Sequence, residues 1–69
     1  MARLSSDENG QVKEKVDSKL AGGKRINLGD LVDEIMTEMG LSEDKLLAVT
    51  SVVRNRTEMG EDGKVSLKV

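Results

Sequence analysis

Between Asn27 and Gly40 the apolar residues Leu28, Leu31, Val32, Ile35, Met36 and Met39 fall at i, i+3, i+4, i+7, i+8 and i+11 without a gap. That spacing gathers side chains on one face of an α-helix. Asn27 stands where it can cap the helix, Asp30 meets the positive end of its dipole, and Gly40 can close it. The rest of the chain must cover this stripe, and its means are limited. The 69 residues include no Phe, Tyr, Trp, Cys or His. No aromatic ring fills volume, and neither a disulfide nor a Cys/His metal site staples the fold. A chain of this size buries only about 60% of the surface it exposes when unfolded. One aliphatic core in one domain is therefore expected. Association, as a homodimer, with a protein partner or within an assembly, is the natural supplement.

Residues 1–10 are polar with Gly10 as a breaker, and read as a flexible N-terminal arm; residues 11–69 read as the single domain. Val12, Val16 and Leu20 recur every four residues among Lys13, Glu14, Lys15, Asp17 and Lys19, which predicts a first helix from Gln11 that stops at Ala21–Gly23. Lys24 to Asn27 suits a brief strand. Ser42 is placed to cap a further helix, with Glu43 and Asp44 near its dipole. That helix runs through Leu46, Leu47, Val49 and Val53 and ends near Val53 or Arg54. The β-branched cluster "VTSVV" leaves residues 52–59 open to helix or strand. "GEDG", Gly60 to Gly63, is turn chemistry, and Lys64 to Val69 alternates, with Val65, Leu67 and Val69 on one face and Lys64, Ser66 and Lys68 on the other. A C-terminal β-hairpin follows.

Without His, Cys or Tyr the chain has no side chain suited to act as base, nucleophile or acid at neutral pH, so an enzyme is not expected and no cofactor is implied. Asp30, Glu34 and Glu38 share a helix stripe by their spacing of four, and read as a solvated face in preference to a metal or acid/base pair. No apolar run approaches the roughly 20 residues that span a bilayer, and "MARLSSDENG" has no apolar signal region, so no membrane partner is expected and the cytoplasm is the expected compartment. The net charge of −2 is uneven. Residues 1–27 carry six Lys/Arg against four Asp/Glu, residues 28–47 one against six, and residues 48–69 four against three.

The order helix, short strand, helix, turn, helix, hairpin, and the run "INLGDLVDEIMTEMGLSEDKLLAV", resemble a winged helix-turn-helix domain over about residues 26–69. The resemblance rests on the apolar pattern "I-x-L-x-x-L … G-L-S". It implies an α+β fold, a small three-helix winged-helix-like domain whose C-terminal hairpin is the wing. Gly40 takes the turn, and Ile35, Met39, Leu41, Leu46 and Val49 lock the two helices at their crossing. Met36 departs from the pattern, since the family favours a small residue there, and the helix Leu28–Met39 is longer than usual. The resemblance also implies double-stranded DNA as the partner of an accessory or transcription-regulating protein. Arg54, Arg56, Lys64 and Lys68 would act from the wing, with Lys45 and Asn55 near the reading helix. Ser42, Glu43 and Asp44, at the start of that helix, oppose a phosphate backbone. The alternative is an adaptor, inhibitor or assembly subunit, for example a phage protein. It would bind a protein through Asp30, Glu34 and Glu38, or through Leu47 and Met59. Met36, Met39 and Met59 read as core filling in preference to a partner groove.

Overall fold

The computed structural model describes residues 3–68. Three helices and a three-stranded antiparallel sheet form an α+β domain in the order α1 (Ser6–Lys19), β1 (Ile26–Asn27), α2 (Leu28–Met39), α3 (Leu46–Arg56), β2 (Thr57–Met59) and β3 (Lys64–Leu67). Each helix contributes one buried stripe to a shared core: Val12 and Val16 from α1, extended by Leu20 at its C-cap, Leu31, Val32 and Ile35 from α2, Val49 and Val53 from α3. Val65 closes it from the sheet. Leu28, Met36, Met39 and Leu41 are half-buried against this cluster. No described helix is long and apolar enough to cross a membrane.

The first helix begins at Ser6, so from Ser6 to Gly10 helix takes the place of the polar arm expected over residues 1–10, and Gly10 lies inside α1 instead of breaking the chain. The cause is a capping box. The Ser5 hydroxyl accepts the Glu8 N–H at 3.1 Å, and the Glu8 carboxylate accepts the Ser5 N–H at 2.9 Å. Two otherwise orphan donors are satisfied, which outweighs the roughly 1 kcal/mol that one glycine costs a helix relative to alanine. A side chain at position 10 would meet nothing within 4 Å. Gly10→Ala is therefore expected to stabilise the domain by about 0.5–1 kcal/mol. Thermal melting by circular dichroism should show a rise of a few degrees, whereas a fall would mean that residue 10 is not helical in solution.

The α2 helix matches its sequence signals at both ends. Asn27 Oδ1 accepts the Gly29 N–H at 2.9 Å. Gly40 sits at φ 64°, a conformation that costs a side chain about 1–2 kcal/mol, and lets the chain reverse. The Leu41 N–H then reaches the Met36 carbonyl at 3.0 Å and the Gly40 N–H reaches that of Thr37 at 3.3 Å, the paired bonds of a Schellman closure. A short 3-10 turn, Glu43–Lys45, follows, and α3 begins only at Leu46. Ser42 thus does not cap α3 through its side chain. Its carbonyl accepts the Lys45 N–H at 3.0 Å, and its hydroxyl bonds the Asp44 carboxylate.

Residues 52–59 turn out to be both helix and strand. The α3 helix continues past Val53 to Arg56, and β2 starts at the next residue, Thr57. Thr57 is buried, and its hydroxyl donates to the Val53 carbonyl at 2.7 Å, which keeps a polar group satisfied at the junction. In the sheet β3 is central, pairing Ile26↔Val65 and Asn27↔Lys64 on one side and Thr57↔Leu67, Glu58↔Ser66 and Met59↔Val65 on the other. Opposed residues share a face. Val65, Leu67, Thr57 and Ile26 therefore look toward the core, and Lys64, Ser66 and Glu58 look outward. The alternation expected from Lys64 holds through Leu67; Val69 lies outside the described residues.

Candidate nucleic-acid interface

Burial of Val49 and Val53 turns the opposite side of α3 outward. Leu47, Thr50, Ser51, Arg54 and Asn55, at i, i+3, i+4, i+7 and i+8, line a shallow groove along that side. None of the residues of α3, Leu46–Arg56, is acidic. The Thr50 hydroxyl donates to the Leu46 carbonyl at 2.8 Å, leaving its oxygen free to accept. Ser51, Arg54 and Asn55 have exposed side chains with no hydrogen-bond partner among the described residues. Arg54 and Asn55 carry the sequence expectation, but Thr50 and Ser51 were missed. Their signal was available, since they follow Leu47 at i+3 and i+4.

Of the six expected nucleic-acid residues, Arg54 and Asn55 share this groove, Asn55, Arg56 and Lys68 line a neighbouring one with Asp17 and Leu67, and Lys45 and Lys64 line neither. Arg54 and Arg56 lie in the last turn of α3 and not on a wing strand. Two residues apart on a helix they diverge by about 200°, whereas on a strand they would share a face. Arg54 looks outward, beside Thr57, Met59 and Val65. Arg56 turns to α1 and forks onto Asp17, with Nη2 2.6 Å from Oδ2 and 2.7 Å from Oδ1, and Nε 3.2 Å from Oδ1. Lys45 is also engaged. Its Nζ lies 3.0 and 2.9 Å from the two carboxylate oxygens of Glu8, and both side chains are only 25% exposed. Pairing start to start and end to end, these two bridges hold α1 and α3 side by side in the same direction. Lys64 and Lys68 are exposed and make no ion pair among the described residues, Lys64 on the outer sheet face.

The acidic stripe is divided as well. Glu38 is held by Lys15 at 3.0 Å and by Lys19, both on α1, while Asp30 and Glu34 are exposed and make no ion pair among the described residues. Leu47 and Met59 are exposed, at 64% and 53%, so Met59, on β2, does not fill the core as Met36 and Met39 of α2 do. Among the described residues no three His, Cys, Asp or Glu side chains are grouped so as to hold a metal ion.

Three carboxylates titrate below the usual range. Glu8 is lowered first by the Ser5 N–H and then by Lys45, Glu38 by Lys19 and then Lys15, and Asp62 by the Lys64 N–H, with Arg25 at 2.8 Å adding to it. A carboxylate whose folded pKa is depressed contributes stability above its unfolded pKa and loses it as pH falls through the folded one. With no His to titrate, the urea midpoint is expected to stay level from about pH 8 to 5.5 and to fall below about pH 4.5. A midpoint unchanged down to pH 3 would mean that these bridges do not form in solution. Compared with models of known families, with curated proteins and with solved structures, the chain matches none.

Proposed function

We propose that this is a non-enzymatic DNA-binding accessory or regulatory domain of the winged helix-turn-helix type, with α3 as the helix laid in the major groove. The observation that carries the reading is the outward side of α3. In a chain of net charge −2 it is the helix without a carboxylate, and it presents Leu47, Thr50, Ser51, Arg54 and Asn55. These side chains suit base edges. An Asn amide matches the donor and acceptor pair of adenine, Ser and Thr hydroxyls adapt to several bases, an apolar tip meets the thymine methyl, and Arg serves guanine or a phosphate. The hairpin β2–β3, following α3 without a break, supplies Lys64 and Lys68 for the backbone. Lys45 and Arg56 are left out of this interface because they bind α1.

Three free cations make a modest electrostatic footprint. Each phosphate contact contributes about −0.9 to the slope of log K against log salt, so three give about −2.7 per domain. A homodimer in the cytoplasm, doubling that number, is the form we propose for the working protein. The test is an amide-shift NMR titration of labelled protein with a short mixed-sequence duplex at about 50 and 200 mM salt. Shifts at Leu47, Thr50, Ser51, Arg54, Asn55 and Lys64–Lys68 that fade with salt are expected. An unchanged spectrum at the lower salt would overturn the reading.

A further inference from the structure

We propose a second, separate surface: the cleft between the C-terminal half of α2 and the start of α3 docks a basic, amphipathic segment of a partner protein. The cleft is lined by Asp33, Met36, Thr37, Gly40, Leu41, Glu43 and Leu46. Its floor is apolar. Met36 and Leu41 are half-buried from below, and Leu46 keeps 40% of its surface exposed. The left-handed Gly40 opens this space, because it turns the chain away from α2 before α3 begins, and no side chain at position 40 fills the gap.

The rim says what covers the floor. Asp33 and Glu43 flank it, exposed and without an ion pair among the described residues. Asp30 lies one turn back from Asp33 on α2, and Glu34 follows Asp33 directly. No Lys or Arg occurs from Leu28 to Asp44. Lys45, two residues beyond Glu43, is engaged on Glu8, and Lys15 and Lys19 on Glu38. An apolar floor inside a rim of one uncompensated sign selects an occupant with the reverse pattern, Leu- or Ile-type anchors flanked by Lys or Arg. The same rim repels a duplex. It stands apart from the outward side of α3, since Leu46 and Leu47, adjacent in sequence, point about 100° apart around the helix. One domain would then carry a DNA side and a protein side.

The probe is a synthetic 14-residue leucine/lysine amphipathic peptide, titrated into labelled full-length protein and followed by amide and methyl shifts. A matched peptide with Glu for every Lys is the control. Expected are saturable shifts centred on Met36, Thr37, Gly40, Leu41, Glu43 and Leu46 with the basic peptide, and none with the acidic one. The double variant Asp33→Lys/Glu43→Lys should weaken binding at least tenfold, and Asp33→Asn/Glu43→Gln by less. Both positions are exposed, so the spectra of the two double variants should otherwise match the parent. Three outcomes would overturn the proposal: equal shifts with the acidic peptide, shifts centred elsewhere, or concentration-dependent shifts at the cleft in the protein alone, which would make a second copy its occupant. Duplex binding is read on different residues, so the two surfaces stand or fall separately.

Discussion

Ile35→Ala is expected to leave the domain largely unfolded at 37 °C. Ile35 lies in the middle of α2, is fully buried, and belongs to the stripe that the other elements cover. Truncating a buried isoleucine to alanine costs about 2–5 kcal/mol, from lost transfer energy and from the cavity that remains. A chain under about 70 residues seldom has more than about 3–5 kcal/mol in hand from its core alone. Among the described residues nine buried apolar side chains make that core, and neither a disulfide nor an aromatic ring adds to it. The helical signal at 222 nm should fall at 37 °C and the urea transition should move to low concentration or vanish. Leu47→Ala is the control: Leu47 is 64% exposed, and its loss should change stability by no more than about 0.5 kcal/mol. Equal, small effects at the two positions would mean that α2 is not packed as described.

Arg54→Glu should remove duplex binding at about 200 mM salt and weaken it more than tenfold at about 50 mM, because it replaces the one cation on the outward side of α3 by a repelling charge. Arg54→Ala should lower the salt slope by about 1. The informative comparison is with Arg56, two residues away in sequence. Arg56→Gln breaks the fork to Asp17 and is expected to lower the urea midpoint while leaving the salt slope as it was. Lys45→Gln should behave in the same way, through its loss of Glu8. Were Arg56→Gln to reduce the slope as much as Arg54→Ala, the assignment of these cations to separate tasks would fail.

The contrast between Arg54 and Arg56 also marks how far the sequence is legible. Local signals were sufficient where they agreed with one another. The stripe from Leu28 to Met39 with Asn27 and Gly40 at its ends, the Gly60–Gly63 turn, and the alternation from Lys64 all describe elements the fold contains. Where two local signals conflict, the stronger decides: Gly10 suggests a break, but Ser5 and Glu8 are spaced as a capping box and the helix runs through it. The "VTSVV" segment could not be divided by propensity alone, because β-branched residues suit a buried helix face as well as a strand, and here they supply both Val49 and Val53 of α3. The site was harder. Whether Lys45 and Arg56 are free depends on Glu8 and Asp17, 37 and 39 residues away in the chain. No pattern within a single helix reports such a partner.

The makeup of the core has one more consequence. Among the described residues, six of its nine buried apolar side chains are valines: Val12, Val16, Val32, Val49, Val53 and Val65. Valine in a helix has essentially one χ1 well open to it, a restriction that costs some entropy on folding but leaves a single rotamer; on the β3 strand Val65 is restricted at χ1 too, and none of the six has a longer limb with which to repack. A small interior of leucines and methionines would admit many arrangements of similar energy. This one admits few. The thin margin of stability therefore need not bring a loosely ordered interior, and the methyl resonances of these six valines should be narrow, well dispersed and lost together in a single cooperative transition.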